Sequence, residues 1–65
     1  MWESKDKQWS VTREVIESAN PKQAGTWLVV RQYGFVAGMV REPDRPEAFI
    51  KELSNQLHTE FTEKR

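Results

Sequence analysis

Residues 26–41 read TWLVVRQYGFVAGMVR, the most apolar part of the chain. Its two halves, 26–32 and 35–41, are rich in valine and aromatic residues, and a glycine lies between them. Two such runs around a glycine-containing turn are typical of an antiparallel β-hairpin. We expect a three-residue connection over residues 32–34, in which Gly34 takes the left-handed conformation of a turn with a bulge.

Both faces of this hairpin are apolar, although a ribbon covered on one side normally alternates apolar and polar residues. Either a helix covers each face, or another molecule covers the surplus one. A second copy of the chain is the simplest such molecule, because symmetric dimers are the commonest oligomers. In the expected register one face carries Leu28, Val30, Val36 and Val40. The sequence therefore predicts a partner-binding surface on the other face, formed by Trp27, Val29, Phe35, Ala37 and Met39.

The residues after the hairpin predict a helix from Arg45 to Thr62. Asp44 is a suitable N-cap, Pro46 suits the first turn, and Glu47 completes the spacing of a capping box. The apolar residues then recur at helical spacing. They are Phe49, Ile50, Leu53, Leu57 and Phe61.

The residues before the hairpin, 9–19, fit two structures. As a helix, residues 11, 12, 15, 16 and 19 gather on one side, and the charged residues fall on the other. As a strand, each face mixes apolar with charged groups, yet most of these residues favour strands. We expect the helix, because it sorts the residues by polarity, and we keep the strand as the alternative.

These elements predict a small α+β domain in the order α–β–β–α, with a two-stranded antiparallel hairpin and a C-terminal helix. The alternative is a three-stranded antiparallel sheet plus the C-terminal helix. Residues 1–65 are expected to form a single small domain, with 1–8 as a loose N-terminal segment. Trp2 lies in that segment, either folded back onto the core or exposed as a binding anchor.

Length and composition restrict the function classes. The chain has 65 residues, no cysteine, and ten basic against ten acidic side chains. The lack of cysteine excludes a disulfide framework and a thiolate metal site. No signal-peptide pattern or membrane-spanning apolar run is visible, so we expect a cytoplasmic domain without a membrane partner. A core of this size rarely yields more than about 3–5 kcal/mol, which makes association useful for stability.

Catalysis and cofactor binding have few candidate residues. His58 is the only histidine, and Ser54 lies one helical turn before it. No aspartate is close in sequence to orient the imidazole, and no second strong metal ligand lies one turn away. We therefore expect no catalytic residue, no cofactor and no metal site. An enzyme would need a substrate-sized cavity around His58.

Nucleic acid is the alternative partner, because the charge is unevenly distributed. No acidic residue lies between Glu17 and Glu42, so the hairpin is locally basic. Arginines and aromatic side chains on a β-ribbon are suited to entering a groove or stacking on bases. The residues that would bind nucleic acid are Lys22, Arg31, Tyr33 and Arg41. The first expectation remains a non-catalytic binding or regulatory module that self-associates through the hairpin.

Overall fold

A five-stranded antiparallel sheet with one helix forms the fold in the computed structural model, which describes residues 1–64. The strand order is β4-β3-β2-β1-β5. The fold is therefore α+β, as predicted, but it has five strands and one helix, in neither of the layouts expected from the sequence. The elements are β1 Trp2–Ser4, β2 Trp9–Ile16, β3 Gly25–Gln32, β4 Phe35–Arg41, α1 Pro46–Leu57 and β5 Phe61–Glu63.

The expected helix over residues 9–19 is wrong, because β2 occupies most of this segment and pairs along its whole length with β3. The mixed polarity of each face has a tertiary explanation. Val11 is buried in the core, whereas Arg13, on the same face, lies farther along the strand and pairs with Glu42 at its exposed end. On the other face Glu14 is paired with Arg31. Strand propensity therefore prevails over helical periodicity.

The N-terminal segment 1–8, expected to be loose, contains β1 and a hydrogen-bonded turn. Trp2 is only 7% exposed, and its Cα partners are Val11 in β2 and Glu63 in β5. The buried Ser4 hydroxyl accepts a hydrogen bond from the backbone N–H of Trp9 (2.8 Å). The segment is therefore structured, because a tryptophan gains much from burial.

The hairpin is confirmed, but its connection and register differ from the expected ones. The turn has two residues, Tyr33 and Gly34, whose φ angles of 52° and 86° are those of a type I′ turn. A bulge follows, because the register shifts by one residue opposite Val30 and Arg31. Ala37 is the extra residue. Beyond the bulge Leu28 faces Val40, Val29 faces Met39 and Trp27 faces Arg41.

The helix is shorter than predicted at both ends. Arg45 is the N-cap, and no side chain caps the first turn, so Asp44 does not form the expected capping box. At the other end, His58 adopts a left-handed conformation (φ 54°) and donates its backbone N–H to the Ser54 carbonyl. This turn ends α1, and the chain returns as β5. Phe61 thus reaches the core from a strand, although its spacing continues the helical stripe.

The core lies between α1 and one face of the sheet. Its buried members come from β1, β2, β3 and α1, and partly buried side chains from Trp9, Val40, Phe49, Leu53 and Phe61 surround them. Val11 and Leu28 are fully buried. The buried members are Trp2, Val11, Leu28, Val30 and Ile50. No helix within the described residues is long and apolar enough to cross a membrane.

An ion-pair cluster at Glu3 of β1 predicts a pH dependence of stability. Lys64 and Lys7 each place their Nζ 2.8 Å from Glu3 Oε1. Hydrogen bonds from Lys64 and then Lys7 lower the pKa of Glu3 to about 2. The cluster therefore stabilises the fold above the ordinary carboxyl pKa of 4.5, and this contribution is lost as the pH falls towards 2.

We expect Glu3→Gln to remove this part of the acid sensitivity. The thermal unfolding midpoint of the wild type should fall more steeply between about pH 4.5 and 2 than that of the variant. High salt should narrow the difference, because the cluster is exposed to solvent. Glu52→Gln, an exposed change on α1, is the control and should leave the wild-type profile unchanged. If the unfolding midpoints of Glu3→Gln and of the wild type fall equally steeply with pH, the Glu3 ion pairs do not cause this acid sensitivity.

Candidate protein-binding surface

Only one face of the sheet carries the helix. α1 packs on the side of Leu28 and Val30. On the opposite side, which we call the open face, no helix or strand covers β2, β3 and β4 within residues 1–64. The pairing aligns the side chains there in three rows. They are Glu14–Trp27–Arg41, Thr12–Val29–Met39 and Ser10–Arg31–Val36.

The end of the open face at Trp27 is occupied by Arg41. The guanidinium carbon lies 4.6 Å from the centroid of the indole ring, a cation–π contact. The same guanidinium donates to two backbone carbonyl oxygens in the loop 22–24, at 2.8 and 2.6 Å. Gly25 has a φ of 125°, which favours glycine, and a Cβ atom there would lie 2.8 Å from Arg41 Nη1, so the guanidinium would have to shift. Arg41 therefore links the Trp27 ring to the loop 22–24.

At the centre of the open face, the side chains on β2 are polar, and the side chain of Val29 on β3 is buried. Val29 is only 3% exposed, although no helix covers it. Beside it, Arg31 Nη1 donates to Thr12 Oγ1 and forms an ion pair with Glu14 Oε2, both at 2.8 Å. The hydrogen bond from Arg31 lowers the pKa of Glu14. The polar side chains in this half of the open face are thus bonded to one another.

The exposed apolar residues are concentrated on β4. Phe35 is 79% exposed, Val36 58% and Met39 44%, and Ala37 is exposed as well. We call these four residues the β4 surface. β4 forms one edge of the sheet, and a Cβ atom at Gly38 would meet no atom within 4 Å, so the helix side of the strand is open there too.

The five residues expected to bind a partner thus fall into two groups. Trp27 and Val29 are held within the fold, whereas Phe35, Ala37 and Met39 belong to the β4 surface. The expected common face is wrong for Phe35, because it pairs with Gln32 and so lies on the helix side of the sheet, opposite Met39. Sequence reasoning missed Val36, which it placed with the core residues. The two-residue turn is responsible, because it pairs Val36 with Arg31 on the open face, whereas the expected three-residue turn paired it with Val30.

The four residues expected to bind nucleic acid do not form one patch. Arg41 donates to the Lys22 carbonyl at one end of the hairpin. Tyr33 lies in the turn at the other end, and Arg31, between them, is paired with Glu14. β4 has seven residues and spans roughly 20 Å. Tyr33 and Arg41, at its two ends, would therefore contact separate regions of a ligand.

A depression of about 590 Å³ adjoins His58, between the β1–β2 turn and the C-terminal end of α1. Asp6 and Ser54 also line it. Ser54 Oγ donates to the Thr59 carbonyl, and Asp6 accepts hydrogen bonds from Ser4 and Gln8. Within the described chain, no hydrogen bond joins the His58 ring to either side chain, so the three do not form a proton relay. Nor do three His, Asp or Glu side chains there group to hold a metal ion.

Comparison with known proteins gives no match. No family model, no curated protein and no solved structure matches the chain.

Proposed function

We propose that the chain is a non-catalytic protein-interaction module that self-associates through the β4 surface. The observation that carries the proposal is an edge strand whose exposed side chains are apolar from Phe35 to Met39. Soluble proteins usually protect such edges with charged residues or proline. β4 has a bulge but no charged residue before Arg41. Two copies that pair along β4 would bury this surface.

The exposed area supports association. The chain exposes 4912 Å², whereas a folded monomer of this mass exposes about 4,300 Å². The radius of gyration is 12.0 Å, compared with about 10.7 Å for a compact domain of this length.

The charge distribution favours a second copy over a charged partner. The formal net charge is zero, so two copies do not repel each other at long range. The β4 surface itself carries no charge to match a basic or acidic ligand. A two-fold axis near the middle of β4 would pair the strand with its own copy in antiparallel orientation, which makes the contact self-complementary.

Light scattering across a dilution series tests the proposal. We expect the wild-type mass to fall from that of a dimer to that of a monomer on dilution. The double variant Val36→Lys/Met39→Lys should shift the midpoint by at least about tenfold in concentration, because burying an apolar side chain contributes about 1.5–3 kcal/mol. Val15→Lys is the control, since Val15 is also exposed but lies on the inner strand β2. A monomer at every concentration would refute the proposal.

A further inference from the structure

A second surface lies at the opposite edge of the sheet from β4, between α1 and β5. It is a groove of about 530 Å³, within the range of ligand-binding clefts. One side of α1 lines it with residues at helical spacing, and β5 lines it from the sheet.

The floor of the groove is apolar. Trp2, Ile50 and Phe61 line the groove and also contribute to the core. Phe61 and Glu63 lie on the side of the sheet that carries α1, because their Cα partners in β1 are Ser4 and Trp2. An apolar side chain that enters the groove would therefore contact aromatic and aliphatic groups that are already held in place.

The rim of the groove is acidic. Three carboxylates, from Glu47, Glu60 and Glu63, line it together with one ammonium group, from Lys51. The Glu60 carboxylate lies 3.9 Å from Lys5 Nζ, and both side chains are largely exposed. The excess negative charge favours a cationic ligand and disfavours nucleic acid or an anionic metabolite.

β5 is also a free edge. Within residues 1–64 its one partner strand is β1, so its other side presents backbone groups that no described strand pairs with. An extended segment that lies beside an edge strand gains main-chain hydrogen bonds, and its alternate side chains point to one face. β5 has three residues, so the groove must contribute much of the affinity.

We propose that this groove binds an extended segment of another protein whose groove-facing side chains, at every second position, are apolar and basic in turn. The segment adds to β5 as a sixth strand. Its apolar side chains contact Trp2, Ile50 and Phe61, and its basic side chains pair with the acidic rim. This site is independent of the β4 surface, so either proposal can fail while the other holds.

A pair of synthetic peptides tests the inference. In one, every second position carries valine and lysine in turn, with threonine at the positions between, and its twin has glutamate in place of each lysine. Binding is measured by fluorescence anisotropy, and the site is mapped by the NMR shifts of the β5 amides and the Trp2 indole N–H. We expect the lysine peptide to bind at least about tenfold more tightly than its twin and to shift the signals of β5 and Trp2.

Charge variants on α1 and β5 provide the matched control. Glu47→Lys/Glu63→Lys should weaken binding of the lysine peptide by about tenfold, since each exposed ion pair contributes a factor of roughly 2–5. Glu52→Lys makes the same charge change on α1, outside the groove, and should have little effect. Equal binding of the two peptides, no binding at all, or shifts confined to β4 would each overturn the inference.

Discussion

Replacing Leu28 by alanine is expected to leave much of the chain unfolded without denaturant. Leu28 is fully buried on the central strands and lies in the core with Val11 and Ile50. A buried leucine-to-alanine change costs about 2–5 kcal/mol, through lost burial and the cavity that remains. A domain below about 70 residues rarely has more than ~3–5 kcal/mol in total. Circular dichroism with urea titration measures the loss.

Two further variants are controls for the loss of core packing in Leu28→Ala. Leu28→Met keeps the volume and should cost less than about 1.5 kcal/mol. Val15→Ala truncates a side chain that is 71% exposed and should cost less than about 1 kcal/mol. A Leu28→Ala protein with the unfolding midpoint of the wild type would show that the core is elsewhere.

Trp2→Ala is expected to have a comparable effect, although the residue is second in the chain. Its ring belongs to the core cluster, and its backbone joins β1 to both β2 and β5. Truncation of a buried tryptophan costs about 3–5 kcal/mol. We expect the cooperative urea transition to disappear or to move to much lower urea. A loss confined to fraying of residues 1–4, seen as local NMR changes, would contradict this role.

Tyr33→Ala is the control for the loss of a large aromatic ring. Tyr33 lies in the β3–β4 turn and is 71% exposed. Its truncation should change the free energy of unfolding by less than about 1 kcal/mol. Because Tyr33 has a positive φ, a glycine variant would test the turn rather than the ring, so alanine is the better control.

The hairpin could be predicted from the sequence because local chemistry determines it. Valines and aromatic residues favour strands, and Gly34 occupies a left-handed position. The register could not be predicted, since it depends on the bulge at Ala37. It also depends on the length of the turn, because a two-residue turn places Val36 on the open face, so Val36 was missed as a surface residue.

The identity of β2 could not be read from periodicity. Residues 11, 12, 15 and 16 fit a helical stripe as well as a strand, and the difference lies in tertiary pairing. Arg13 on the core side is tolerated because it reaches Glu42 at the exposed end of the sheet. The sequence patterns that could predict the short strands β1 and β5 are weaker still. β1 has one tryptophan among polar residues, and Phe61 in β5 repeats the spacing of the helix before it.

The surplus apolar surface was predicted, but its position within the hairpin was not. The sequence places it on the face of Trp27 and Val29. In the structure, Arg41 covers the Trp27 ring and Val29 is buried, so the exposed part moves outward to β4. These rearrangements depend on long side chains that fold over the sheet, which composition and spacing do not specify.

Hydrogen exchange of the β4 amides at two protein concentrations tests self-association most directly. If two copies pair along β4, amide protons between Val36 and Val40 that lack a partner in one chain gain one from the other. We predict that their exchange slows as the concentration rises, while exchange in the loop 18–23 stays unchanged. Exchange rates in β4 that are independent of concentration, up to the millimolar range, would contradict the account.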